Sequence, residues 1–147
     1  ILIKAFDQEL FPANRRYVME AIGKCGDSST VKLFEENEYQ DSALQMGWAY
    51  GVFRLGQKGH TSEMLNNRMM NLLNDDNKDL AILASHYVYR GLRGDGKLKL
   101  VDSLIGSSKY DEVKDRLSLL KRNELDGESE IEYYDIEWVK RKENKNQ

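Results

Sequence analysis

Few residues in this 147-residue chain carry the chemistry of a catalytic centre, and they are scattered. The histidines are His60 and His86, and the one cysteine is Cys25. A general base or an activated nucleophile needs a second group held against it, and none of the three has an obvious partner in sequence. His60 lies in a glycine-flanked turn before a helix cap, where a solvated imidazole is expected. His86, beside Tyr87 inside a helix, reads as a boundary residue with a local hydrogen bond, and Cys25 falls on an apolar stripe, where an inert, buried thiol is expected. No His-x-x-x-His, Cys-x-x-Cys or Asp-rich loop supplies metal-ligand spacing. The run Gly91-x-x-Gly94-x-Gly96 lacks the preceding strand that would make it a phosphate cradle. These residues predict neither a catalytic site, a metal nor a cofactor.

A second candidate is a repeated one. "AYGVFRLGQKG" (49–59) and "HYVYRGLRGDG" (86–96) each set Val, an aromatic residue and Arg before a glycine-containing turn, which places Arg54 and Arg90 36 residues apart. As helix ends, the two arginines meet the negative pole of the helix dipole, an interaction of roughly 0.3–1 kcal/mol. As a binding element, they would reach an anionic ligand or a partner's carboxylates.

The elements that position these residues are helical. From 15 to 25, Val18, Ala21, Ile22 and Cys25 recur at helical spacing and Gly26 closes the block. Asp27 or Ser28 caps a short helix over 29–37 carrying Val31, Leu33 and Phe34. After Asp41-Ser42, the stripe Leu44, Trp48, Val52 and Leu55 predicts a buried face, with Gly47 and Gly51 permitting close backbone approach and Gly56-Gln57-Lys58-Gly59 ending the helix. Thr61 or Ser62 caps a helix over 62–74, with Leu65, Met69, Leu72 and Leu73 on one face and Glu63, Asn67, Asn71 and Asn74 opposite. Asp76, with Asp79 three residues on, opens a helix over 78–92 that buries Leu80, Ala84, Tyr87 and Val88. Apolar stripes over 97–105 (Leu98, Val101, Leu104, Ile105) and 108–124 (Tyr110, Val113, Leu117, Leu120) follow, the second capped by Ser107-Ser108. A single proline, Pro12, agrees with helices throughout.

Residues 1–125 therefore read as one all-α domain, and 126–147 as a C-terminal cap or linker. Seven acids fall between Glu124 and Glu137 before Lys140-Arg141-Lys142. Ile131, Tyr134 and Trp138 suit a final helix, and Ile131 and Tyr133 suit a strand. The start, Ile1-Leu2-Ile3-Lys4, has neither initiator Met nor signal-peptide layout, as expected of a piece of a longer protein. No apolar run approaches a membrane span. Net charge is −3, which disfavours general nucleic-acid affinity, although 90–122 holds nine Lys and Arg against five Asp and Glu.

The blocks "RRYVMEAIGKCGDSSTVKLFEE" and "ALQMGWAYGVFRLGQKGHTSEMLNNRMMNLL" resemble HEAT repeats, and the resemblance covers about residues 5–122. The first-helix proline and the Asp-Pro before it are missing, Gly-Lys-Cys-Gly stands for Leu-Gly-x-x-Gly, and the third unit reads Arg-Gly-Leu-Arg-Gly. The resemblance implies a short right-handed superhelix of about three helical pairs and a non-catalytic scaffold that binds a protein or peptide along its second helices. Asn67, Asn71 and Asn74, together with Arg54 and Arg90, are the candidate partner-binding residues, because exposed amides pair with a partner's backbone without desolvating charge. The pattern is also similar to the HEAT-like segments that accompany cyclophilin-type peptidyl-prolyl isomerase domains in some bacterial proteins. That similarity implies an accessory role beside a catalytic barrel outside this chain. A HEAT-like nucleic-acid-binding module is a further alternative.

Overall fold

A computed structural model describes residues 1–92 and 97–126, and every regular element among them is helical. In order, these are α1 (Leu2–Gln8), α2 (Pro12–Cys25), α3 (Ser28–Glu35), α4 (Ser42–Gln57), α5 (Glu63–Asn71), α6 (Lys78–His86), α7 (Lys97–Ser107) and α8 (Asp111–Asp126). A turn of 3₁₀ helix, Leu72–Asn74, extends α5, and a π turn, Tyr87–Gly91, extends α6. The readings for Gly94 and Gly96, and for the segment from 127 onward with its Ile131, Tyr133, Tyr134 and Trp138, lie outside the described residues.

Local chemistry starts most of these helices where the sequence indicates. Asp27 accepts from Ser29 N at 2.9 Å while Thr30 Oγ1 accepts from Asp27 N at 3.2 Å, a reciprocal cap on α3. The Ser29 hydroxyl, which donates to the Asp27 carboxylate at 2.6 Å, and then the Ser29 amide hold that carboxyl below its ordinary pKa. Asp41 accepts from Ala43 N and Leu44 N at the start of α4, and Ser62 accepts from Leu65 N at the start of α5. Helix α6 departs from the expectation: its cap is Asn77, which accepts from Asp79 N at 3.0 Å, and Asp76 instead takes Lys109 Nζ at 2.8 Å. Helix α8 begins at Asp111, so Ser107-Ser108 does not cap it. Helix α1 is an addition to the elements foreseen.

Alternate helices pack on one another, α2 against α4, α4 against α6 and α6 against α8, with α3 packed on α4 and α5 packed on α3 and α6. Helix α4 is central and buried on nearly all sides, not only along the Leu44, Trp48, Val52, Leu55 stripe; Met46, Ala49, Tyr50 and Phe53 are buried as well. Glycines set its distance from α2. A Cβ built on Gly23 would lie 2.2 Å from the Gly51 carbonyl oxygen, one on Gly51 would lie 2.3 Å from the Phe34 ring, and one on Gly47 would lie 2.7 Å from Arg16 Cα.

The glycines of the repeated motif have different jobs. Gly59, at φ +82°, ends α4 in the left-handed conformation while His60 N donates back to Leu55 O at 3.0 Å. Gly56 lies inside α4 and Gly91 is the last residue of the π turn, and the two are buried against each other and against Tyr87, where a Cβ on Gly56 would meet the Tyr87 ring at 2.7 Å and Gly91 Cα at 3.0 Å. Gly26 has an extended backbone, φ −71° and ψ 170°, not the left-handed one.

Side-chain bonds between elements distant in the chain keep a steady separation. Arg54 reaches Glu20, Lys58 reaches the carbonyls of Lys24 and Gly26, and Arg68 reaches those of Phe34, Glu35 and Asn37. Asn74 reaches Ser107 O, and Tyr110 reaches the carbonyls of Asp75 and Asp76. Their separations along the chain run from 31 to 35 residues.

Candidate functional site

The five sequence-selected residues divide between two layers of helices. On the α2–α4 layer, Arg54 Nη2 lies 3.1 Å from Glu20 Oε1 and its Nη1 donates to Gln57 Oε1 at 3.2 Å, with the paired side chains 16% and 14% exposed. Its charge is thus compensated within the fold. One turn earlier, the Arg16 guanidinium stands 5.3 Å from the Tyr50 ring, and burial pushes the Tyr50 hydroxyl up to about 12. Arg90 belongs to the π turn after α6 and lies 5.9 Å from the Tyr89 ring centre.

The asparagines are on α5 and its extension. Asn67 and Asn71 are exposed. Asn74 ties the 3₁₀ turn to the end of α7 and the residues after it, its Nδ2 donating to Ser107 O at 3.1 Å and its Oδ1 accepting from Lys109 N at 3.0 Å.

Asn71 lines a cleft of about 170 Å³ together with Glu38, Tyr39, Gln40, Gln45, Trp48, Arg68 and Leu72. The α3–α4 connection forms one wall, the first turns of α4 the floor, and the end of α5 the opposite wall. Trp48 and Arg68 make it rigid. The Trp48 indole Nε1 donates to Phe34 O at 2.9 Å, and the Arg68 guanidinium lies 4.1 Å from the Trp48 ring centre. Arg68 also donates to Phe34 O at 3.2 Å, Glu35 O at 3.3 Å and Asn37 O at 2.9 Å. These carbonyls close α3, so a cation there completes the helix end and neutralises its dipole.

Sequence reasoning did not find this cleft. Arg68 stood out in no motif, and Trp48 read as core; it is 4% exposed, yet its ring edge still reaches the cleft. The available signal was the run Glu35-Glu36-Asn37-Glu38-Tyr39-Gln40-Asp41, four acids without a base around an aromatic residue.

Two readings of chemistry-bearing residues change. Cys25, the last residue of α2, is exposed and not buried. His86 is no boundary residue: it is 4% exposed, its Nε2 is buried without a hydrogen-bond partner, and its ring stands 6.5 Å from that of Phe53. Burial, with the charges of Arg116 and Arg90 adding, pushes its pKa down from 6.5 to about 3.

Because the folded value lies below the unfolded one, the neutral imidazole's contribution is complete above about pH 6.5. It is lost as pH falls from there toward about 3. The stability of the protein should therefore decline below pH 6.5 with a component approaching 1.4 kcal/mol per pH unit, about one proton's worth. Urea unfolding of His86→Phe beside the parent, at pH 7 and pH 5, checks this. The variant should gain on the parent by about 2 kcal/mol between the two, and a constant difference would contradict the assignment.

Among the described residues, no group of three or more His, Cys, Asp or Glu gathers to hold a metal, and no helix is long and apolar enough to cross a membrane. Comparison with known protein families, curated proteins and solved structures finds no match to this chain.

Proposed function

We propose that the chain is a non-catalytic protein- or peptide-binding module of a larger protein, built as a short right-handed superhelix of HEAT-like pairs, and that the Trp48–Arg68–Asn71 cleft is where its partner is held. The cleft carries the reading: it is concave, preorganised by bonds that its own walls do not need to break, and bordered by the carboxamides of Gln40, Gln45 and Asn71. Carboxamides suit an extended main chain, since each offers both donors and an acceptor to a peptide unit. The 31–35 residue register of the inter-pair bonds supports the superhelix, because stacked repeats bring equivalent positions together.

Phage display of random peptides against the immobilised chain tests the proposal, with Asn71→Trp as the discriminating variant. Asn71 is exposed, so the indole fills the cleft without entering the core. Selected peptides should bind the parent and lose about tenfold or more in affinity for Asn71→Trp, or 1.4 kcal/mol. Its melting curve should stay in place. Peptides that bind both proteins equally would move the site elsewhere.

A further inference from the structure

Of the two opposite charges that line the cleft, Glu38 and Arg68, the carboxylate makes no ion pair among the described residues. Of the four acids in 35–41, Asp41 is committed to the first amides of α4 and Glu36 lies 3.7 Å from Lys32. Glu38 is exposed, lines the cleft and makes no ion pair among the described residues. The one cation in the lining, Arg68, is turned onto the carbonyls that end α3, so the negative pole of that helix already answers its charge. What remains at the mouth is a carboxylate, three carboxamide oxygens and the apolar edges of Tyr39, Trp48 and Leu72.

A volume of about 170 Å³ is below the few hundred that whole small-molecule ligands occupy, and suits one side chain. We propose, resting on the peptide-binding reading above, that the cleft takes an arginine side chain from an extended partner segment. The stem lies along Tyr39 and Leu72, and the guanidinium donates to Glu38 and to the oxygens of Gln45 and Asn71. Arginine fits better than lysine, because its planar fork can bond the carboxylate in two places and its face can rest on an aromatic ring.

The test uses short synthetic peptide pools, randomised except for a fixed central Arg, Lys, Leu or Glu, titrated against the whole chain by fluorescence anisotropy. The Arg pool should bind about tenfold tighter than the Leu pool and weaken as salt rises. Glu38→Gln should remove that preference, while Glu63→Gln, the same charge change at the exposed start of α5, should leave it intact. An equal loss with Glu63→Gln would mean diffuse attraction and overturn the proposal. A Leu pool that binds best, or a Glu38→Gln variant that behaves as the parent, would overturn it and leave peptide binding standing. Binding by no pool would overturn both.

Discussion

Gly23→Ala is expected to lower stability by about 3 kcal/mol, although alanine is the better helix former by roughly 0.5–1 kcal/mol in an open helix. The reason is geometric. The added methyl would stand 2.2 Å from Gly51 O and 2.5 Å from Gly51 Cα, so it meets backbone that no rotamer change can move aside. Helices α2 and α4 must separate, and Phe34, which fills the space over Gly51, loses its seat. For a chain of this size the melting temperature should fall by about 10 °C. Gly106→Ala is the matched control: nothing lies within 4 Å of its Cβ position, so the propensity gain is unopposed and stability should rise by a few tenths of a kcal/mol. Thermal melts that move in the same direction for both variants would contradict the close α2–α4 crossing.

Arg68→Ala is expected to cost about 3 kcal/mol as well, by a different route. It takes the Arg68 donor from Glu35 O and Asn37 O, leaves Phe34 O with the Trp48 indole N–H alone, and uncovers the Trp48 ring. Arg68→Met, which keeps much of the stem, should recover only the packing share. Arg68→Lys should recover less than half of the loss, because a single ammonium cannot span Phe34, Glu35 and Asn37 as the guanidinium fork does. Chemical denaturation of the three variants separates these shares. Full recovery by lysine would show that charge, not the fork, is what the α3 terminus needs.

The parts of the fold visible in the sequence are those decided within a few residues. Asp41 and Ser62 cap helices because a short acceptor before an apolar stripe has one nearby use, and α4 ends at Gly59 because its φ of +82° suits glycine. The same logic slips by one residue at Asp76 and Asn77, where two good capping residues stand side by side and only the pull of Lys109, 33 positions later, occupies the first. Gly56 and Gly91 also admit the Tyr87 ring, a use that along the chain looks the same as ending a helix. The cleft was least legible. Its walls come from 38–45 and 68–72, and what aligns them is the packing of α3 against both α4 and α5, which no local pattern encodes. Asn71 was found because it is a polar residue on an exposed stripe; Arg68 is partly covered by the carbonyls it serves, and the sequence does not show that.

The claim that this cleft holds the partner is met most directly by mapping amide chemical shifts on titrating the ¹⁵N-labelled chain with a selected peptide. With the partner in the cleft, the changes gather at Glu38, Tyr39, Gln40, Gln45, Asn71 and Leu72 and at the Trp48 indole N–H. Changes confined to the layer of Arg54 and Arg90, or spread without a centre, would contradict it.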